Sequence, residues 1–311
     1  MTSISIIIPA HNEAQHLPNL LNSLAAVDCL TDIIIVDSGS TDNTSEIGQQ
    51  FGCRVLSLPK KQYPSVARNR GAQQSSAEIL VFLDADVIVT ESWAAELRHL
   101  ASDNEFLRGN VLTGETYHIS LNPSWIEKFW FEPLRQRKKT YLNGGNIIIS
   151  RTAFDSIGGF NEQLETGEDV DFSIRAQEKE IELTFNPALV VHHEGFPKDI
   201  KNFFRREKWH GKGDFSSLSY FRKSRVAQLS VLFGVCYITL LLLLALTVQI
   251  DSVLIKQTII ATVVLIFAVC LSSSLAKFGK LSPIYSILGT FIYFIYFNAR
   301  LASLFALWRG R

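Results

Sequence analysis

The first part of the chain alternates short apolar runs with polar clusters. Ser3 to Ile8, Asp32 to Val36, Cys53 to Leu58 and Glu78 to Leu83 are rich in Ile, Val and Leu. They have the length and β-branched content of buried strands. Leu17, Leu20, Leu21 and Leu24 recur at helical spacing between the first two runs. Asn43 to Phe51 reads as another helix, capped by the polar cluster before it. Alternating strands and helices predict a mostly parallel sheet with helices on both faces. Ligands of such sheets sit at the carboxyl ends of the strands. Three polar clusters fall on that edge: Pro9-Ala10-His11-Asn12-Glu13, Asp37-Ser38-Gly39-Ser40-Thr41-Asp42 and Asp84-Ala85-Asp86.

Two carboxylates one residue apart can share a hard divalent cation, which prefers oxygen ligands and keeps waters and substrate phosphates in its shell. An isolated pair of this kind is usually a solvated turn, but its place at the ligand edge favours the metal reading. No Gly-x-Gly-x-x-Gly follows the first strand, so a dinucleotide fold of the usual kind is not expected. Asn186 to His193 reads as a further strand leading to paired histidines. Successive strand residues point to opposite faces, so only one of His192 and His193 can face a site.

Further short motifs follow in order: Ala67-Arg68-Asn69-Arg70-Gly71, Gly144-Gly145-Asn146, Gly158-Gly159-Phe160 and Gly167-Glu168-Asp169-Val170-Asp171. Together with the three strand-end clusters, and over roughly residues 3 to 215, the chain resembles the family 2 glycosyltransferases of the GT-A fold. The resemblance implies an α/β GT-A domain over residues 1–215 and a basic juxtamembrane linker over 216–225. A membrane region with two or three transmembrane helices would follow over 226–311. It implies an inverting hexosyltransferase-type enzyme that uses a nucleotide-diphosphate sugar, UDP favoured, and Mn²⁺ or Mg²⁺. Pro9, His11, Glu13, Asp37, Arg68, Asp84 and Asp86 would line the donor. Asp37 suits a base or ribose hydrogen bond, Glu13 the ribose, Asp84 the ribose or a metal-bound water, and Asp86 the metal. Arg68 would lie near the nucleotide or diphosphate. The family pattern of a metal-ligand His six residues after a Pro selects His193. His192, His11 and His210 are expected to be structural or to support the residues that touch the donor and metal.

Asp169, with Glu168 beside it toward the leaving group or acceptor, opens the amphipathic helical stretch Val170 to Gln177. Carboxylates are favoured at a helix start by the macrodipole, so capping is one reading. The resemblance assigns Asp169 the acceptor's proton instead. A sugar hydroxyl is a poor nucleophile at neutral pH and needs a positioned base. A glycosidase-type carboxylate pair is a competing reading that the nucleotide-type sheet edge disfavours.

Lys198 to Arg225 is rich in Lys, Arg and aromatics. Arg205-Arg206-Glu207-Lys208-Trp209 resembles the Gln-x-x-Arg-Trp motif of membrane-bound family members that make polysaccharides. Arg205 stands for Gln and Lys208 for Arg. Trp209 would line the acceptor path and the cations steady the leaving diphosphate. A basic amphipathic helix on anionic headgroups is an alternative, compatible reading. Trp125 to Tyr141 is similar, with Trp125, Phe129, Trp130 and Phe131 followed by Arg135, Arg137, Lys138 and Lys139. It would dock on the bilayer, grip a lipid-linked acceptor, or simply pack into the domain. Val226 to Val248, Leu254 to Leu275 and Leu281 to Phe297 are candidate spans, the first two joined as a hairpin by Gln249 to Ser252. Arg222, Lys223 and Arg225 place the N-terminal domain in the cytoplasm, and Lys277 and Lys280 then fall inside as well. A third span would put Arg309 and Arg311 outside, against that rule. The alternative has Asn298 to Trp308, with Arg300, along the interface.

The 311 residues carry no formal net charge, with 30 basic and 30 acidic side chains. Charge is unevenly spread, acids at the expected site and bases before the apolar region, and nothing suggests nucleic-acid binding. Cys29, Cys53, Cys236 and Cys270 show neither metal-ligand spacing nor a disulfide framework. The chain starts almost at once with a strand, so no signal peptide is expected. The expected partners are a nucleotide-sugar donor, a membrane lipid or lipid-linked glycan acceptor, and the bilayer. The expected location is the cell membrane, multi-pass, with the catalytic domain cytoplasmic. Alternatives are a polyprenyl-phosphate glycosyltransferase, a processive polysaccharide synthase, and a non-catalytic nucleotide-sugar-binding scaffold. A phosphate acceptor is largely ionised near neutral pH, given a second pKa of about 6, and needs no base, so Asp169 favours a hydroxyl. A processive synthase calls for more spans and an intact motif, and intact Asp84, Asp86 and Asp169 argue against a scaffold.

Overall fold

A computed structural model describes residues 2–109, 111–115, 117–133, 140–215, 221–222, 224–279, 281 and 283–309. By packing, the chain forms two compact units, Met1–Pro123 with Leu134–Phe196, and Ser124–Pro133 with Pro197–Arg311.

The first unit is built on a seven-stranded sheet in the order β3-β2-β1-β4-β7-β6-β8. Strands β1 (Ile4–Ala10), β2 (Asp32–Ser38), β3 (Arg54–Leu58) and β4 (Ile79–Leu83) pair in parallel. β7 (Asn146–Ser150) runs antiparallel to both β4 and β6 (Val111–Gly114), and β6 pairs in parallel with β8 (Glu182–Phe185). The near-continuous apolar runs follow from burial on both faces, the usual state of a parallel sheet. Ile4, Ile6 and Ile8 point to one face, with Leu17, Leu20, Leu21 and Leu24 of helix α1 (Leu17–Leu24). Ile7 points to the other, with Phe82, Phe154, Phe160 and Phe172. The connecting helices are α2 (Thr44–Gln50), α3 (Pro64–Gln74), α4 (Glu91–Ser102), α5 (Asn104–Leu107), α6 (Arg151–Ile157) and α7 (Glu168–Glu178).

The stretch expected as one strand from Asn186 to His193 is mostly a turn. Asn186 accepts from Leu189 N through its carbonyl and from Ala188 N through its side chain. An Asn-Pro pair favours that local geometry over a ladder. Only β9 (Val191–His193) is extended, and it pairs antiparallel with β5 (Val87–Val89) in a separate two-stranded sheet.

The second unit holds helices α8 (Ile200–Asp214), α9 (Arg225–Leu246), α10 (Val253–Phe278) and α11 (Pro283–Arg309), with an aromatic π-helical turn at Glu127–Phe131. α9, α10 and residues Pro283–Leu304 of α11 are long and apolar enough to cross a membrane. α11 continues unbroken past Asn298. The aromatic turn packs inside this unit. Trp130 lies 5.2 Å from Phe203, 5.8 Å from Phe278 and 5.0 Å from Tyr293, between ring centroids. Lys277 Nζ sits 3.1 Å above the Trp130 ring, and Phe129 stacks on Tyr285 at 5.0 Å. Trp125 is exposed. Arg135, Arg137, Lys138 and Lys139 lie outside the described residues.

Glu207 of α8 is buried between two arginines, Arg206 and Arg300, each donating at 2.8 Å. Burial alone would push its carboxyl up, but the two guanidinium groups outweigh it and hold the group below the usual range. Removing one partner of a buried pair leaves charge uncompensated, at a cost of roughly 3–5 kcal/mol. Glu207→Ala is therefore expected to lower the melting temperature of the purified full chain by several degrees. Glu207→Met paired with Arg300→Met should recover much of that loss. Single and double variants melting alike would contradict this account of the pair.

Candidate active site

The site is assembled where β4 ends. Asp84 accepts from Arg68 Nη2 through Oδ1 and from Tyr117 OH through Oδ2, each at 2.7 Å. Both of its oxygens are thereby oriented. Asp86 lies two residues on, and β5 starts directly after it. The β5–β9 pairing sets Val87 opposite His193 and so brings His193 beside Asp86. His193 Nε2 is 3.4 Å from Asp86 Oδ2. His192 turns away, with Nδ1 2.9 Å from the Ile119 carbonyl. The His193 ring is held between Tyr117 and Phe196, at centroid distances of 4.6 and 4.3 Å.

One ligand atom from each of Asp84, Asp86 and His193 falls within 4.8 Å of the others. This set fits a divalent cation. His193 Nδ1 is buried without a hydrogen-bond partner, so nothing else fixes the ring's tautomer. Burial pushes the Asp86 carboxyl above its usual range, with Asp84 and Glu13 adding to the effect and His193 opposing it. A Cβ at Gly195 would collide with that carboxylate, so only glycine lets the backbone pass so close. Asp84 is held by Arg68 and Tyr117, while among the described residues the Asp86 carboxylate has only the His193 ring at 3.4 Å, so the two carboxylates and the imidazole could share a hard divalent cation.

Arg68 is buried and forked. Its Nη1 donates to Glu168 Oε1 and its Nη2 to Asp84 Oδ1, both at 2.7 Å. Burial would strip its charge, but Asp84 and Glu168 outweigh that and hold the guanidinium above its usual range. Asp169 is the second residue of α7, whose N-cap Gly167 takes the left-handed conformation at φ 80°. Its Oδ2 accepts from Gly144 N at 3.3 Å and its Oδ1 from Val170 N at 2.9 Å. Burial, with the neighbouring Glu168, pushes the Asp169 carboxyl up to about 6. A carboxyl poised there can accept a proton at neutral pH.

Two family profiles match the chain, Glycosyl transferase family 2 over residues 5–158 and Glycosyl transferase family group 2 over residues 123–297. This chain is a family 2 glycosyltransferase. Glycosyltransferase AglE of Haloferax volcanii is 27% identical over 212 residues, covering 62% of this chain and 67% of that one. The pre-mycofactocin glycosyltransferase of Mycobacterium tuberculosis is 26% identical over 246 residues, 74% of this chain and 50% of the relative. The chain thus spans about two thirds of the first relative's length and half of the second's. Among solved structures, the mannosyltransferase PcManGT from Pyrobaculum calidifontis, in complex with GDP-Man and Mn²⁺, superposes with TM-score 0.59 at 16% identity. That match covers 99% of this chain and 88% of that one. S. aureus TarS 1–349 in complex with UDP-GlcNAc gives TM-score 0.52 at 14% identity, covering 100% and 93%. These likenesses establish the GT-A-like fold.

The glycosyltransferase's expected donor residues line the carboxyl edge of β1 and β2. Pro9 pairs with Val36 in the β1–β2 ladder. Asp37 is buried and accepts from Ser40 N at 2.9 Å and from the Ser45 hydroxyl. His11 Nδ1 lies 2.9 Å from the Ser38 carbonyl. Glu13 Oε2 is 3.1 Å from His16 Nδ1. Arg205, Lys208 and Trp209 belong to the second unit, on the side of α8 away from buried Phe203, Glu207 and Gly211. His210 is half-buried, and desolvation, with Arg206 adding to it, pulls it down to about 3, so it is neutral at physiological pH.

Tyr117 was not anticipated. Its hydroxyl donates to Asp84 and accepts from Gly145 N at 3.0 Å, while its ring supports His193. One side chain thus orients two members of the metal set. Its position, three residues beyond β6, carries no periodic or motif signal.

Proposed function

We propose that this glycosyltransferase moves a sugar, with inversion, from a nucleotide-diphosphate sugar to a hydroxyl of a membrane lipid or lipid-linked glycan. UDP is the favoured nucleotide, and the reaction takes place at the cytoplasmic face of the cell membrane. The observation that carries this reading is Asp169, partly buried beside Glu168 near the head of α7, with its carboxyl pushed up to about 6. A hydroxyl acceptor needs such a base; an ionised phosphate does not. In this reading Asp169 takes the acceptor proton in a single in-line displacement. Arg68 ties Glu168 to Asp84, which keeps the base end and the metal end of the site in register. Asp86 and His193, with Asp84 alongside, would hold Mn²⁺ or Mg²⁺. Such an ion supplies Lewis-acid stabilisation of the charge on the departing diphosphate. Asp37, Glu13, His11 and Pro9 would receive the nucleoside. Arg205, Lys208 and Trp209 enter through their motif alone.

Residues 1–215 are read as the catalytic domain, 216–225 as the linker and 226–311 as the membrane region. Arg222 before α9 and Arg225 at its first position, with Lys277 in the last turn of α10, support a cytoplasmic catalytic domain. The full chain in detergent tests the donor assignment through thermal protection by a panel of nucleotide sugars, with and without Mn²⁺. A ligand at a hundredfold excess over its Kd adds about 2.7 kcal/mol to stability. A UDP-sugar is expected to raise the melting temperature, and to do so far more when Mn²⁺ is present. Protection by a GDP-sugar instead would overturn the nucleotide. Protection by none, with either metal, would overturn the donor class.

A further inference from the structure

α9 and α10 are joined by residues 247–252, and at 1.5 Å per residue each is long enough for an apolar core of about 30 Å. In such a hairpin Arg225 and Phe278 share one end and the connection forms the other. α11 meets the hairpin between the Arg225/Phe278 end and the middle of α9, where Phe294 lies 6.5 Å from Tyr237. Near its start, the Ser274 hydroxyl donates to the Ser286 carbonyl at 2.7 Å, Tyr285 lies 6.2 Å from Phe278, and Gly289 packs on Ser274 and Phe278. Further along, Phe294 and Phe297 each meet Phe233 at 5.5 Å, and Leu301 packs on Gly234. A helix crossing beside the hairpin would finish at the connection. There Leu242, Val248, Val253 and Leu254 are all exposed.

A second observation points the same way. The far part of α11 packs along α8. Arg300 donates to Glu207 at 2.8 Å, and Ser303 lies against Gly211. α8 carries Lys201, Arg205, Arg206 and Lys208, charges that are expensive in a bilayer core. The segment of α11 that accompanies it is therefore held near the surface too. Ile284, Ile287, Leu288 and Phe291 of α11 recur at one-face spacing and are exposed, while Ser286, Thr290, Ile292, Tyr296, Phe297, Arg300 and Ser303 are buried.

We infer that α11 lies along the membrane surface rather than across it, with the Ile284, Ile287, Leu288 and Phe291 stripe set into the lipid. The chain then crosses the bilayer twice, and Arg222 and Arg309 lie on the same side. This arrangement removes the conflict a third crossing would create with the charge rule, since Arg309 falls on the side of Arg222 and Lys277. It also gives the exposed stripe one occupant, the bilayer already required by the hairpin. The inference holds whatever the donor and acceptor are.

The test uses the full chain in cell membranes, with Cys29→Ser and Cys53→Ser so that introduced thiols report. Arg222→Cys, Ser252→Cys and Arg309→Cys are probed separately with a membrane-impermeant maleimide, before and after permeabilisation. Positions 222 and 309 should behave alike, and 252 oppositely. Labelling of 222 and 309 from opposite sides overturns the inference. Spin labels placed singly at the exposed positions 284, 287, 288 and 291 in liposomes then read depth from oxygen and nickel-chelate accessibility. Near-equal depth is expected. A spanning helix would instead change depth by about 10 Å over those seven residues, and that result would also overturn it.

Discussion

Asp86→Ala is expected to lower sugar transfer by about 10³-fold or more and to abolish the metal dependence of donor binding. Asp86 follows the end of β4, is partly buried, and has His193 as its side-chain partner at 3.4 Å. Its carboxylate has no structural bond to lose, unlike that of Asp84, which anchors both Arg68 and Tyr117. A Lewis-acid metal contributes several kcal/mol to transition-state charge stabilisation, and each 1.36 kcal/mol is tenfold in rate. Initial rates and calorimetric donor titrations, each with and without Mn²⁺, check this. Equal donor affinity in the parent protein with and without metal would sink it. His193→Ala should weaken Mn²⁺ binding far more than His192→Ala, because the His192 ring is already committed to the Ile119 carbonyl. The opposite order would mean that the wrong histidine faces the site.

What the sequence made legible is what local periodicity encodes. Ile4, Ile6 and Ile8 alternate with Ile7 between two cores, as a two-sided strand must. Asp84 and Asp86 fall where an apolar run stops, and strand alternation separates His193 from His192 before any coordinates are known. What stayed hidden depends on pairings between distant segments. Arg68 reaches Glu168 one hundred residues away, and nothing near either residue announces the partner. Tyr117 belongs to the site only because β6 and β7 neighbour each other and bring Gly145 beside it. Glu207 reads in sequence as an unremarked position within a basic motif, yet it is the buried counterion of Arg300. The Phe129-Trp130-Phe131 aromatics left three destinations open. They pack with α8, α10 and α11 although they lie between two strands of the sheet in sequence. Asn186 to His193 went astray for a local reason. Its apolar residues satisfy the strand pattern, while Asn186-Pro187 imposes a turn that the pattern does not see.

Asp169→Asn should leave donor binding intact and remove most of the transfer rate, by roughly 10²- to 10⁴-fold, the range of a positioned base. The substitution is isosteric and can still accept from Gly144 N, so the start of α7 should keep its geometry. The pH profile separates a base from a mere helix cap. Burial first, then Glu168, pushes this carboxyl up to about 6, and the deprotonated form is the one that takes a proton. The parent's rate with saturating donor should therefore rise about tenfold per pH unit below about 6 and level off above it. That acid limb should vanish in the Asn variant. Stability moves the other way. A carboxyl whose folded pKa exceeds its unfolded value of about 3.9 contributes stability below that value, and the contribution is lost as pH rises through about 6. At pH 7.5 the Asn variant should accordingly melt no lower than the parent while transferring far more slowly. A folding defect could not produce that combination. An unchanged rate would point to an acceptor that arrives already ionised, and a polyprenyl phosphate would then displace the hydroxyl as the favoured substrate class.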